Sequence, residues 1–293
     1  MRKIHSVLLM LGVTATTLSS AHVVPAYAQA SERVTFASAD RNTTLVGYVF
    51  APQRTGHSRA PAIVMMHGRA GAYSSQANDV YDASTLSRRH RAWGELWARE
   101  GYVAILVDGF GPRGHPRGFP RFSYDSRPEE LNEVTVRPLD AYGALAYLRR
   151  RDDVDGDRIG LFGWSNGGSA TLAAMANSSP QAAQGFLAAV AFYPACGLKG
   201  VFVDGYMPYA PVHVFMGRAD EEVSPRRCAR FVEQSRAQGG LIAIRLYDGA
   251  SHGFDDPGRR RQSVPANAAA AEDARDRAVA FFFRHLSDGR RHP

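Results

Sequence analysis

Apolar residues in this chain gather into short dense runs set apart by longer helical stretches. The dense runs are residues 62–66 (AIVMM), 102–107 (YVAILV), 159–164 (IGLFGW), 186–193 (FLAAVAFY), 212–216 (VHVFM) and 241–247 (LIAIRLY). Continuous apolar runs of this length, without alternation, predict strands buried on both faces. Residues 34–37 and 45–50 predict an opening antiparallel pair. Helices are expected near 84–100, 133–150, 166–177, 225–238 and 265–286. Strands that alternate with helices predict an α/β fold, a mostly parallel, doubly wound sheet with helices on both faces. In such sheets ligands are met beyond the carboxyl ends of the strands, so the residues just after each run are where chemistry is to be sought.

Composition narrows the picture. The chain has 293 residues, 45% of them hydrophobic and 22% charged, which suits one sizeable core and neither disorder nor repeats. Residues 1–28 read differently from the rest. Arg2 and Lys3 are followed by an apolar stretch at 7–18, too short to span a bilayer comfortably, and then by Ala26-Tyr27-Ala28, the small-x-small pattern of a cleavage site. We expect a signal peptide cut before Gln29, a single domain over 29–293, and a secreted or periplasmic protein with no membrane attachment after cleavage. Residues 1–28 hold no acidic side chain, so losing Arg2 and Lys3 takes the net charge from +7 to +5. The remaining basic residues are dispersed among acidic ones, with no basic stripe interleaved by aromatics, which argues against nucleic acid as a partner.

The two cysteines, Cys196 and Cys228, follow a strand run and sit in a later helix. In an exported chain with no further Cys or His nearby at ligand spacing, they are expected to form a disulfide rather than a metal site. No metal-ligand cluster and no cofactor motif is visible, so no metal or organic cofactor is expected.

The chemistry centres on "GWSNG", residues 163–167, between the run at 159–164 and the helix expected from 166. A serine hydroxyl becomes a useful nucleophile when a tight strand-to-helix turn lifts it clear of the sheet beside a base. Such a turn presses backbone against backbone, and the flanking glycines remove side chains that would collide. Ser165 is therefore the candidate nucleophile. The order Ser, acid, His then selects among ten histidines. His57, His67, His90 and His115 precede the serine; His213 lies inside a strand run, and His285 near the end of the last helix. His252, in "DGASHGF" after the last strand run, is the expected general base. Asp220, in "FMGRADEEVSP" after the run at 212–216, is the expected carboxylate; its neighbours Glu221 and Glu222 could substitute in principle, but the strand-end position and the Gly-x-x-Asp spacing favour Asp220 and leave them as solvated surface charges. The oxyanion donors are expected to be the backbone amides of Asn166 and of Arg69 in "MMHGRAG", where Gly68 lets the chain turn. His67 reads as a structural side chain of that turn, and the Arg69 side chain faces either solvent or substrate.

Taken in order, HGRAG, VDGFGPRG, GWSNGG, GRAD and SHGF resemble the dienelactone hydrolase family of α/β-hydrolases over about residues 45–285. The resemblance implies an α/β-hydrolase sheet with Ser165, Asp220 and His252 as triad. The namesake enzymes carry cysteine in this elbow and a glutamate near the oxyanion turn; this chain has Ser165 and His67-Gly68-Arg69. Relatives with serine there look like esterases.

The longest connection, about twenty residues after the run at 102–107, holds Phe110, Phe119, Phe122, Tyr124, Arg113 and Arg117, and a loop of this length is expected to shape specificity. Its arginines read either as carboxylate contacts or as surface charges. Phe110, Arg113 and, beside the nucleophile, Trp164 are the candidate substrate contacts, although Trp164, like Trp93 and Trp97, also reads as core. The function expected is hydrolysis of a small-molecule ester or lactone through an acyl-enzyme. The same triad also serves acyl transfer or peptide cleavage, and a non-catalytic binding module would have lost a triad member.

Overall fold

The computed structural model describes residues 31–53 and 58–287. The expected signal peptide and its cleavage site lie outside the described residues. Eight strands are present: β1 (Glu32–Ala37), β2 (Thr44–Phe50), β3 (Ala60–Met66), β4 (Val103–Asp108), β5 (Val154–Trp164), β6 (Ala189–Phe192), β7 (Val212–Gly217) and β8 (Ile242–Tyr247). They form one sheet in the order β1-β2-β4-β3-β5-β6-β7-β8. β1 pairs antiparallel with β2 and β2 with β4; every pairing from β4 across to β8 is parallel. The helices are α1 (Arg88–Arg99), α2 (Arg137–Leu148), α3 (Asn166–Met175), α4 (Pro225–Ala237), α5 (Arg259–Gln262) and α6 (Pro265–Leu286).

Local chemistry sets several boundaries. Ser87 caps α1 by accepting from the His90 amide, and Ser224 caps α4 by accepting from Arg227, with Pro225 opening the helix. The helix expected from 133 begins at Arg137 because the Asn132 side chain captures the Val134 and Thr135 amides in a turn. The run at 186–193 yields only the four residues of β6. Its first amide, that of Phe186, donates instead to the Tyr209 hydroxyl at 3.0 Å.

β5 shows how the faces are divided. Phe162 meets Trp93 and Trp97 of α1 and Phe282 of α6. Gly163, the next residue, points to the opposite face. There α3 lies so close that a Cβ on Gly163 would sit 2.2 Å from the Gly167 carbonyl oxygen. Helices thus cover both faces, and Trp93 and Trp97 are core residues. A disulfide joins Cys196, just after β6, to Cys228 of α4, with Cα atoms 5.0 Å apart. Among the described residues no helix is long and apolar enough to cross a membrane.

Candidate active site

Ser165 stands between the last residue of β5 and the first of α3, at φ 51° and ψ −114°. A positive φ is unfavourable for any side chain but glycine, and it holds the hydroxyl clear of the sheet. The neighbours make the turn possible: a Cβ on Gly167 would lie 2.0 Å from the Met66 carbonyl oxygen of β3. The Ser165 amide donates to Phe192 O of β6 at 2.8 Å, fixing the turn to the adjacent strand.

Loops after β7 and β8 bring two further side chains to this edge. His252 Nε2 lies 3.1 Å from Ser165 Oγ, and its Nδ1 lies 2.8 Å from Asp220 Oδ2. The Asp220 side chain is fully buried, and its other oxygen accepts the Glu222 and Val223 amides at 2.9 Å each. With carboxylate on one side, the Nδ1 position holds the proton, leaving Nε2 to receive one from the hydroxyl. The His252 loop is pinned from both directions. Its amide donates to Glu221 Oε2 at 2.9 Å, and the Tyr193 ring packs 4.7 Å from the imidazole.

The turn after β3 touches this elbow. A Cβ on Gly68 would lie 3.4 Å from Ser165 Cβ, so the turn that leads into Arg69 and the turn that leads into Asn166 are in contact. His67 is fully buried; its Nδ1 lies 2.7 Å from Gly68 O, and its Nε2 accepts the Gly109 amide at 3.2 Å. Burial, reinforced by the Arg137 charge, holds this imidazole well below its ordinary pKa. The Arg69 side chain borders the open space over Ser165 while it pairs bidentately with Glu222 at 2.8 and 3.0 Å and donates to Phe119 O at 2.9 Å.

The family profile of dienelactone hydrolases matches residues 45–286. The chain belongs to the dienelactone hydrolase family. The quorum-quenching protein AidA of Acinetobacter baumannii (strain MDR-ZJ06) is 30% identical over 160 residues, 52% of this chain and 45% of that protein. The match thus spans less than half of that relative's length. A Bradyrhizobium protein described as a probable 2-oxo-3-(5-oxofuran-2-ylidene)propanoate lactonase is 24% identical over 214 residues, covering 72% of this chain and 79% of its own. Among solved structures, Thermogutta terrifontis esterase 2 phosphorylated by paraoxon superposes with a TM-score of 0.61 at 21% identity, covering 90% of this chain and 98% of that one. A dienelactone hydrolase-like promiscuous phosphotriesterase from metagenomic libraries gives 0.65 at 16% identity, covering 88% and 98%. These likenesses establish the α/β-hydrolase fold.

In this dienelactone hydrolase family member the three expected substrate contacts are placed elsewhere. Trp164 is fully buried, and its indole donates to Asp255 Oδ2 at 2.9 Å, because the residue before the elbow serine still follows the inward alternation of β5. Phe110 is also fully buried, packed edge-on against His67 and under the Arg137 guanidinium. Arg113 is committed to Asp140, a buried carboxylate of α2, at 2.8 and 2.9 Å. The long connection is itself ordered by short 3-10 turns at Gly111–Arg113, Tyr124–Ser126 and Glu129–Leu131. Arg117 pairs with Asp79 at the surface, and Phe122 is exposed.

A cleft of about 990 Å³ opens over Ser165 and His252, lined among others by Arg69, Tyr73, Arg88 and Arg121. Arg121 is the residue the long loop gives to it. Glu222, expected at the surface, lies instead beside His252 and Arg69, a placement that sequence reasoning missed. Its side chain is 7% exposed and 3.8 Å from His252 Nε2. Burial raises its pKa, but the Arg69 hydrogen bonds and the charges of His252, Arg69 and Arg121 outweigh that and hold it below the ordinary glutamate value. Two signals pointed to it: an arginine in the β3 turn needing a counter-charge, and an aspartate two residues earlier able to curl the chain back. Among the described residues no group of three or more His, Cys, Asp or Glu is placed to hold a metal.

Proposed function

We propose that this protein is an exported serine hydrolase of carboxylic esters, lactones among them, working through an acyl-enzyme. The observation that carries the reading is the continuous relay Ser165 Oγ, His252 Nε2, His252 Nδ1, Asp220 Oδ2, with links of 3.1 and 2.8 Å. His252 takes the Ser165 proton as the oxygen attacks the ester carbonyl, and Asp220 stabilises the imidazolium that forms. The Asn166 and Arg69 amides receive the oxyanion; a donor of this kind is worth roughly 10² to 10³ in rate. The imidazolium gives its proton to the leaving alcohol. Water then enters, is deprotonated by the same nitrogen, and releases the acid, returning the serine. The disulfide between Cys196 and Cys228 supports an oxidising compartment, periplasmic or extracellular, for a single domain following the leader. The family supports hydrolysis of a small molecule, and the name of the Bradyrhizobium relative supports including lactones.

The test is labelling of the intact protein with a fluorophosphonate, beside Ser165→Ala, with turnover of p-nitrophenyl acetate. Labelling and turnover are expected in the wild type and lost in the variant. Labelling at another residue, or none, overturns the reading. Adding an alcohol acceptor separates hydrolysis from acyl transfer by its product.

A further inference from the structure

The two oxyanion amides belong to different turns, so their spacing depends on what ties the turns together. β3 and β5 run side by side, with Met66 opposite Gly163, but that pairing ends before either turn begins. Beyond it, one nitrogen spans the gap. Arg137 Nη1, from the first residue of α2, donates to His67 O at 2.7 Å and to Asn166 Oδ1 at 2.5 Å. His67 is two residues before Arg69, and Asn166 carries the other amide. The Asn166 side chain is gripped from its other end as well, its Nδ2 donating to Glu133 Oε2 at 3.0 Å.

Arg137 is fully buried, and Glu133 is nearly so. Taking a guanidinium out of water is expensive, and an apolar side chain of similar size would fill the space at lower cost. The cation is not there to complete a saturated ion pair either. Its Nε and Nη2 have no hydrogen-bond partner among the described residues, and its face rests 4.9 Å over the Phe110 ring. What distinguishes it is the pair of bonds from one nitrogen to the two turns. Burial lowers its pKa to about 10, opposed by Asp140 and Glu133, so the charge persists at neutral pH.

We infer that Arg137 is a positioning residue that fixes the separation of the Arg69 and Asn166 amides, so that both meet one tetrahedral oxyanion. The inference rests on the hydrolase reading above. Two amides aimed at one oxygen stabilise it only if neither turn drifts, because the gain comes from donors already oriented before charge develops. A planar guanidinium holds such geometry better than a flexible ammonium can.

The experiment compares wild type with Arg137→Met, Arg137→Lys and Asn166→Ala on p-nitrophenyl acetate, with active sites counted by fluorophosphonate end-point labelling. Per labelled site, kcat for Arg137→Met is expected to fall about 10²-fold while KM changes by less than about threefold, the pattern of an interaction made only in the transition state. Benzeneboronic acid, which forms a tetrahedral adduct with serine, should lose affinity in parallel with kcat. Arg137→Lys should recover part of both. A merely structural role would lower the labelled fraction and leave kcat per site and boronate affinity unchanged, and that result overturns the inference. If Arg137→Met does not fold, Arg137→Lys and Asn166→Ala decide by the same two readouts. Absence of labelling in the wild type would instead remove the hydrolase reading itself.

Discussion

The indole of Trp164, immediately before Ser165, is hydrogen-bonded at 2.9 Å to the carboxylate of Asp255, three residues after His252. The same carboxylate accepts from the Trp93 indole at 2.9 Å and from the Tyr193 hydroxyl at 2.5 Å, and lies 3.4 Å from Arg89 Nε. One buried anion thus joins α1, the elbow, the end of β6 and the loop bearing the imidazole. Asp255→Ala would leave two indole donors, a phenol and a guanidinium facing a void. Losing one partner of a buried pair costs about 3–5 kcal/mol. Urea unfolding should show a loss of that size, with Trp164→Phe costing only about 1 kcal/mol for one hydrogen bond.

Gly167 is expected to tolerate nothing larger. A Cβ there would lie 2.0 Å from Met66 O and 2.6 Å from His67 O, both backbone atoms that cannot swing aside. Gly167→Ala must therefore push α3 away from β3 and open the space between the two turns. Gly101→Ala provides the contrast: its φ is +87°, but no atom lies within 4 Å of the new carbon. Both variants strain or lower stability, yet only Gly167→Ala should lower kcat per folded molecule, by tenfold or more on the order of an oxyanion-donor loss. Kinetics normalised to active-site labelling distinguish them.

The sheet and the Ser165, Asp220, His252 constellation were legible because each depends on local pattern plus one rule of topology: strand, turn and helix in alternation, with side chains at the carboxyl ends of parallel strands. Loop residues obeyed no such rule. Arg113 and Phe110 look like specificity residues in sequence, but their partners Asp140 and Arg137 sit on α2, roughly 27 residues away, and no periodicity reports that pairing. Glu222 was hidden by its company, since an Asp-Glu-Glu triplet reads as solvated surface until Asp220 is seen to capture the Glu222 amide.

Stability should decline as the solution is acidified through the histidine range. His90 is buried with Nδ1 against Ala72 O at 3.0 Å, and burial lowers its pKa from 6.5 to about 4. Burial likewise lowers His213, against Phe215, to about 4. Between about pH 6.5 and 4 the unfolded chain binds protons that the folded chain refuses. The stabilisation of the neutral form is therefore complete above about 6.5 and drains as pH falls, at up to about 1.4 kcal/mol per pH unit for each group. Replacing His90 by Gln should reduce the slope of unfolding free energy against pH in that window. An unchanged slope would show that His90 titrates normally.

The disulfide should contribute measurably to stability. It closes 32 residues of sequence, from the segment after β6 to α4, and a loop of that length is worth about 4 kcal/mol on the chain-entropy account. The Cys196→Ser, Cys228→Ser double variant should unfold at correspondingly lower urea concentration. Because neither Cys196 nor Cys228 lines the cleft over Ser165, kcat per labelled site should stay within about twofold, well under 1 kcal/mol of barrier.

Arg113 gives the sharpest contrast between a specificity role and a structural one. Its guanidinium meets both oxygens of Asp140, at 2.8 and 2.9 Å, and also donates to Gly109 O at 2.7 Å. Asp140 is fully shielded; burial raises its pKa, and Arg113 is the main force opposing that rise. Arg113→Met removes the opposition, leaving a buried carboxylate facing the more distant Arg137 charge. At pH 7 the variant should lose about 3–5 kcal/mol. The loss should shrink as pH falls toward 5, because the folded protein then relieves the stranded charge by binding a proton while the unfolded chain, with an ordinary aspartate, does not. KM for a carboxylate-bearing ester should be unaltered in the fraction that remains folded. A large rise in KM with stability intact would place Arg113 at the substrate after all and detach it from Asp140.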